Sequence, residues 1–172
     1  MLTMLNYSVL NSSVIVNTSP LLYLHQVGHL ELLQKLYSEI LTPPAVIEEL
    51  AVGKKQGINV PDIHSIDWIL ITPVKSISLI PAIIDLGQGE AEVLGLGLEK
   101  PGSLLIFDDQ LARRIANIHK LKYTGTLGVL VKAKKLGYLS SIAPVIAMLK
   151  RQEMWLNDSI INDVLRLAGE SF

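Results

Sequence analysis

The chain has no cysteine among its 172 residues, and that absence removes disulfides, thiolate catalysis and cysteine-bound zinc together. It fits a reducing compartment, so a cytoplasmic protein is expected. Signature motifs of several enzyme classes are missing as well. Neither a G-x-x-x-x-G-K-[ST] phosphate loop nor a G-x-S-x-G nucleophile turn occurs. Gly95-x-Gly97 lies inside a helical pattern and lacks the third glycine of a dinucleotide turn. His25 and His29 are four apart, but Gly28 lies between them and no third histidine or cysteine ligand presents itself, so zinc is not expected there. The first charged residue is Glu31. Even so, the N-terminus has no basic region, and Asn17-Thr18-Ser19-Pro20 interrupts its apolar run. Neither a secretory signal nor a membrane span is expected. Internal repeats and low-complexity stretches are also lacking.

A more local absence concerns acidic charge. The 39 residues from Arg113 to Arg151 contain no Asp or Glu, while nine of the 15 basic residues fall there, among them Arg113, Arg114, Lys132 and Lys135. All 16 acids lie outside this block, so the net charge of −1 conceals a segregation. A basic block of this kind points to a polyanionic partner, with solvated helix faces as the alternative for each lysine taken singly.

Apolar residues make up 49% of the chain, enough for a substantial core in one domain. Val14–Val16 reads as a strand, and residues 1–13 as an extension ahead of a single domain over 14–172. Asn17-Thr18-Ser19-Pro20 is a helix start, with a capping group ahead of a first-turn proline. Further strands are expected at Glu39–Leu41, Trp68–Thr72 (at an edge), Ser103–Phe107 and Lys122–Thr124. Helices are expected at His29–Tyr37, Ala45–Ala51, Leu86–Leu98, Asp109–His119, Thr126–Leu136, Pro144–Arg151 and Asn157–Leu167, with a loop over Gly53–Asp67. Short apolar strands alternating with helices predict an α/β fold: a short parallel sheet flanked by helices in three layers, with two extra C-terminal helices.

In such folds ligands gather at the carboxyl ends of the strands. Asn17-Thr18-Ser19, Asp108-Asp109 and Thr124 fall there, and Asn17 meets the two aspartates if the first and fourth strands are neighbours. Asp108 and Asp109 read either as caps of the helix that follows or as metal ligands. On the Leu86–Leu98 helix, Glu90 shares a face with Val93, Leu94 and Gly97, whereas Glu92 is rotated by roughly 200°. On Ala45–Ala51, Glu49 flanks the apolar face and Glu48 points away from it. Glu49, Glu90, Asp108 and Asp109, with Asn17 as a neutral oxygen donor, would suit a hard cation such as Mg2+ or Mn2+. Each also has a plainer reading: Glu90 as a first-turn partner of the helix dipole, Glu49 as a surface acid. Thr124-Gly125-Thr126 is either strand-to-helix turn chemistry or a pair of phosphate-touching hydroxyls.

Four stretches carry a resemblance to a known family: V-I-V-N-T-S-P-L-L-Y-L (14–24), L-T-P-P-A-V-I-E-E-L (41–50), L-G-Q-G-E-A-E-V-L-G-L-G-L (86–98) and L-L-I-F-D-D-Q-L-A-R-R-I-A (104–116), the last continuing to Y-T-G-T-L-G-V-L (123–130). In this order and spacing, and with W-L-N-D-S-I-I-N-D-V-L-R-L-A-G-E (155–170) behind them, they resemble the PIN domain, in particular the PIN-like subgroup related to VapC-type toxin ribonucleases. The resemblance implies a PIN-like α/β fold and Mg2+- or Mn2+-dependent endonucleolytic cleavage of RNA, often as a toxin silenced by a small antitoxin protein. Carried over by position, it implies Glu49, Glu90 and Asp108 as catalytic metal ligands, with Asp109 as a further one. PIN nucleases usually have Asp where the first strand ends; this chain has Asn17, which keeps an oxygen donor and loses a charge. Thr18, Arg113, Arg114, Thr124, Thr126, Lys132 and Lys135 are the expected nucleic-acid contacts. The other readings are a binding module with a weakened metal site, and a structural member of a toxin–antitoxin complex, its helix faces buried by a partner or in a homodimer.

Overall fold

A computed structural model describes residues 12–79 and 82–170; the expected N-terminal extension therefore lies, up to residue 11, outside the described residues. Its order is β1 (Val14–Val16), α1 (Thr18–Gln26), α2 (Leu32–Leu36), β2 (Ile40–Thr42), α3 (Pro44–Lys55), β3 (Ile69–Ile71), α4 (Gln88–Glu99), β4 (Leu104–Ile106), α5 (Gln110–Ile118), β5 (Lys122–Thr124), α6 (Thr126–Lys135), α7 (Ala143–Arg151) and α8 (Asp158–Leu167). The strands among the described residues form one parallel sheet in the order β3-β2-β1-β4-β5. The helices flank it, so the architecture is the expected α/β one, with α7 and α8 as the two additional C-terminal helices.

The register explains why these runs are strands. Val14, Ile15 and Val16 pair with Leu104, Leu105 and Ile106 on one side, and Val14 and Ile15 with Ile40 and Leu41 on the other. Every residue of β1 and β2 is buried. A central parallel strand has no solvent face, so its sequence is continuously apolar rather than alternating. Thr42 is buried without penalty because its hydroxyl donates to the Val16 carbonyl at 2.9 Å. β3 takes the edge position expected from its sequence, and there Leu70 and Ile71 are exposed.

Small residues set the close approach of α4 to the sheet. A Cβ on Gly97 would stand 2.9 Å from both δ-methyls of Leu105, inside van der Waals contact. Two helix boundaries differ from expectation by three residues or more. α3 runs through Gly53 to Lys55, because the reversal comes only at Gly57, in the left-handed region at φ +83°. Residues ahead of Leu32 form a turn rather than the first part of α2, since Gly28 at φ +73° redirects the chain.

The C-terminal end of the domain is tied by one carboxylate. Glu170 accepts from the backbone N–H groups of Ile142 (2.7 Å) and Ala143 (3.2 Å) and from the Ser141 hydroxyl (2.7 Å), at the start of α7. The Lys134 ammonium stands 3.7 Å away. Burial would raise this carboxyl's pKa, but the donors and Lys134 outweigh it and hold it below the ordinary carboxylate value.

Two stability predictions follow from these contacts. Gly97→Val overpacks the α4–β4 contact and lowers unfolding stability by about 1–3 kcal/mol in urea titrations. Because the folded-state pKa of Glu170 is depressed, its contribution is complete above the unfolded value and disappears as pH falls through the folded one. Wild type should thus exceed Glu170→Gln in stability at neutral pH. The two thermal unfolding curves should converge in acid, below the ordinary glutamate pKa of about 4.3.

Candidate active site

The strand order reverses direction between β1 and β4. The chain builds outward from β1 through β2 to β3, then crosses back to β4 and β5. At such a switch point the loops beyond the two carboxyl ends diverge and leave a crevice. Asn17 follows β1 and Phe107-Asp108-Asp109 follow β4, and the Asn17 N–H donates to the Ile106 carbonyl at 3.0 Å. The neighbouring of strands one and four, on which the meeting of Asn17 with the aspartates depends, is thus present.

Asn17 is 1% exposed. It begins α1 in extended backbone geometry, but its side chain makes no cap. Its Nδ2 instead donates to Glu90 Oε1 at 2.7 Å, and its Oδ1 is buried with no hydrogen-bond donor among the described residues. Glu49, on α3, accepts from the Gly89 N–H at the start of α4 (2.8 Å) and from the Thr18 hydroxyl. Two glycines make this convergence possible. A Cβ on Gly89 would come within 2.7 Å of both Asn17 Oδ1 and Glu49 Oε2. One on Gly87 would collide with Glu90 and reach within 3.8 Å of Glu49 Oε1. Glu90 has its pKa raised, chiefly by burial. Its own N–H and Asn17 oppose that rise, while the charges of Glu49 and Asp109 add to it. Glu49, Glu90 and Asp109 therefore share one electrostatic neighbourhood.

Asp108 and Asp109 part company. Asp109 caps α5, its Oδ1 accepting from the Ala112 N–H at 2.8 Å. Asp108 caps a different helix: Oδ1 accepts from the Thr126 N–H at 2.8 Å and Oδ2 from the Thr126 hydroxyl at 2.6 Å, at the start of α6. Arg113 Nη2 lies 3.9 Å from Asp108 Oδ1. Burial raises the Asp108 pKa despite these donors and Arg113. Both Asp108 oxygens are thus occupied. No donor from another residue reaches Glu90 Oε2 or Asp109 Oδ2 among the described residues. Glu90, Asp108 and Asp109 line a cavity of about 750 Å3 together with Ser19, Tyr23, Arg113 and Thr124.

The expected nucleic-acid contacts divide in the same way. Arg113 and Thr124 line the cavity; Arg113 also lies over the Tyr123 ring, 5.7 Å from its centroid. Thr18 is spent on Glu49. Thr126 is fully buried, its hydroxyl already donated to Asp108, so it presents nothing to a phosphate. Lys132 stands over the Tyr37 ring at 4.0 Å, where burial lowers its pKa and raises that of Tyr37 to about 12. Arg114 and Lys135 are exposed. Within the basic block Lys134 pairs with Glu170 and Lys150 with Asp158. Arg113 is the one basic side chain that lines this cavity among the described residues. Sequence reasoning missed Gly87 and Gly89, although two glycines immediately ahead of an acid at a helix start were a readable signal. It also left Glu92 without a task, although it correctly turned that side chain away from Glu90.

The profile of one family, described as PIN domain, matches residues 13–170. The chain belongs to the PIN-domain family. Searches of curated proteins and of solved structures find no significant match. Membership puts this PIN domain in a nuclease superfamily and points to a nucleic-acid substrate. PIN nucleases typically use divalent metals. Among the described residues no group of three or more His, Cys, Asp or Glu side chains is gathered tightly enough to hold an ion. The donor set nevertheless fits one in kind: an orphaned buried amide oxygen on Asn17 beside the Glu49 carboxylate, and oxygens on Glu90 and Asp109 that no other residue's donor reaches. These are hard ligands, suited to a hard cation. No helix among the described residues is long and apolar enough to cross a membrane.

The Asp108–Thr126 pair yields a direct check. Thr126→Val removes the hydroxyl donor and leaves a buried carboxylate oxygen unpaired, so stability should fall by about 1–3 kcal/mol. Thr126→Ser should restore most of it. Chemical denaturation of the three proteins measures both.

Proposed function

We propose that this PIN domain is an endoribonuclease of toxin type that hydrolyses RNA phosphodiester bonds with Mg2+ or Mn2+, in the cytoplasm of a prokaryotic cell. One observation carries the reading. The cavity at the β1/β4 switch point is lined by Glu90, Asp108, Asp109 and Arg113, and the buried Asn17 amide that holds Glu90 keeps an orphaned Oδ1. A divalent ion bound there supplies Lewis acidity and lowers the pKa of a coordinated water. Glu90 and Asp109 would hold the ion, with Asn17 Oδ1 as a neutral donor. Thr18 and the Gly89 N–H fix the orientation of Glu49, and Asn17 Nδ2 fixes that of Glu90. The Arg113 guanidinium offsets charge on the phosphate, and Thr124 positions it. Asp108 and Glu49, metal ligands on the resemblance, take the part of positioning residues here, because both oxygens of each accept hydrogen bonds, from Thr126 in one case and from Gly89 and Thr18 in the other. Arg114 and Lys135 supply further backbone contacts, which makes binding salt-dependent. A small antitoxin protein as inhibitor and a homodimer belong to the same reading and rest on the resemblance to toxin ribonucleases.

A second reading, a nucleic-acid-binding module with a degenerate metal site, is favoured by Asn17 standing where PIN nucleases usually have Asp. It expects binding without cleavage.

The test is RNA cleavage with Mn2+ or Mg2+. The nuclease reading expects activity abolished by chelator. It also expects a drop of about 100-fold or more in Glu90→Gln, given that even outer-shell changes cost about 10- to 100-fold at metal sites. Asp108→Asn should lose less than Glu90→Gln. Equal rates in Glu90→Gln and wild type, or cleavage that survives chelation, would sink the nuclease reading. Binding that weakens with salt while no product forms would favour the second.

A further inference from the structure

The cavity is far larger than a phosphate and ion require, and its chemistry is mixed. Glu90, Asp108, Asp109 and Arg113 bring charge to its lining. The rest is largely apolar, from side chains of α6 and α8, including Leu127 and Val164, and from the segment joining α7 to α8. That segment holds Trp155, which is 76% exposed. Three of the chain's nine aromatic residues line this one cavity: Tyr23, Tyr123 and Trp155.

The exposure of Trp155 is not that of a loose tail. Glu153 sits in the left-handed region at φ +62°, reversing the chain at the end of α7, and the Met154 N–H bonds back to the Leu149 carbonyl at 3.2 Å. Asn157 caps α8, accepting from the Ile160 N–H at 2.8 Å. Between these fixed points Met154 and Leu156 are half-buried and packed on the core. Trp155, between them in sequence, is left exposed at the cavity. An indole displayed so openly, on a backbone anchored on both sides, has given up apolar burial that a core position would have supplied.

Resting on the nucleic-acid reading above, we propose that Trp155 is a stacking platform for a base of single-stranded RNA, adjoining the bond to be cut. A nucleotide carries both kinds of chemistry that line the cavity, an anionic phosphate and a flat aromatic base. An apolar peptide side chain would match Trp155 and leave Arg113 and the carboxylates unused. Every base has a π-face, so the platform holds the strand near the carboxylates with little sequence preference. It also disfavours a duplex, whose bases are already stacked on one another.

The test uses the full chain carrying Trp68→Phe, so that the remaining indole emission comes from Trp155. The probes are a 2′-O-methyl oligoadenylate, verified intact by gel, an abasic oligonucleotide of equal length and an apolar peptide. The platform expects Trp155 emission to change on binding the oligoadenylate and not the abasic strand. In mobility-shift titrations, Trp155→Ala should weaken oligoadenylate binding by about 5- to 150-fold, the range for one base stacked on an aromatic side chain. It should leave abasic binding unchanged, and Trp155→Phe should retain most of the affinity. Trp155 is exposed, so these variants are expected to fold, and circular dichroism checks that they do. If the oligoadenylate binds with unaltered emission and equal affinity in Trp155→Ala, the platform is wrong and the nucleic-acid reading stands. If neither strand binds at low salt, both fail. Emission that responds to the peptide and not to the oligoadenylate would overturn the proposal in favour of a protein-docking site.

Discussion

Two helix starts hold one another. Glu49 of α3 accepts from the Gly89 N–H at the start of α4, and Glu92 of α4 accepts from the Ala45 N–H at the start of α3, at 2.8 and 3.1 Å. Each carboxylate satisfies a backbone donor that its neighbour's helix cannot pair internally, and each sits at the positive end of that helix's dipole. A cap of this kind is worth about 1 kcal/mol. The geometric consequence matters more. With α3 and α4 locked reciprocally, Glu49 and Glu90 are carried to the carboxyl end of β1, where Asn17 and Thr18 meet them. The rest of the site depends on that lock.

The same economy recurs around the molecule. Asp108 caps α6, Asp109 caps α5 and Glu170 caps α7. Five of the 16 acids of this chain thus hold helix starts that are not paired internally. Asp108 and Glu49 have both oxygens occupied, whereas Glu90 and Asp109 each keep one that no other residue's donor reaches among the described residues.

Basic residues follow a comparable division. A block of 39 residues without an acid looks like one polyanion-binding face when read along the chain. Folding distributes it over α5, β5, α6 and α7. Lys132 is drawn over an aromatic ring, Lys134 and Lys150 onto carboxylates, and Arg113 to the cavity between Asp108 and Tyr123. Each move answers a local demand for a counter-charge or a π-face. The mean charge of a segment says nothing about those demands.

Local chemistry was enough for the α/β class, the central strands and most helix boundaries. Continuous apolar runs such as Val14–Val16 have only one stable environment, a parallel strand covered on both faces, and the turn residues that separate them act within a few positions. Helix phasing likewise separated Glu90 from Glu92 and Glu49 from Glu48, because 3.6 residues per turn is a property of the chain alone. What the chain alone left open was which helix each carboxylate would cap, and therefore which oxygens would remain unpaired. Asp108 and Asp109 are adjacent and chemically alike, yet one turns to Thr126, 18 residues away, and the other to Ala112, three away. That choice rests on where β4 and β5 bring the start of α6, a matter of sheet order and crossover. Trp155 is similar: its exposure follows from a left-handed Glu153 and a capping Asn157 that have meaning only once α7 and α8 are packed.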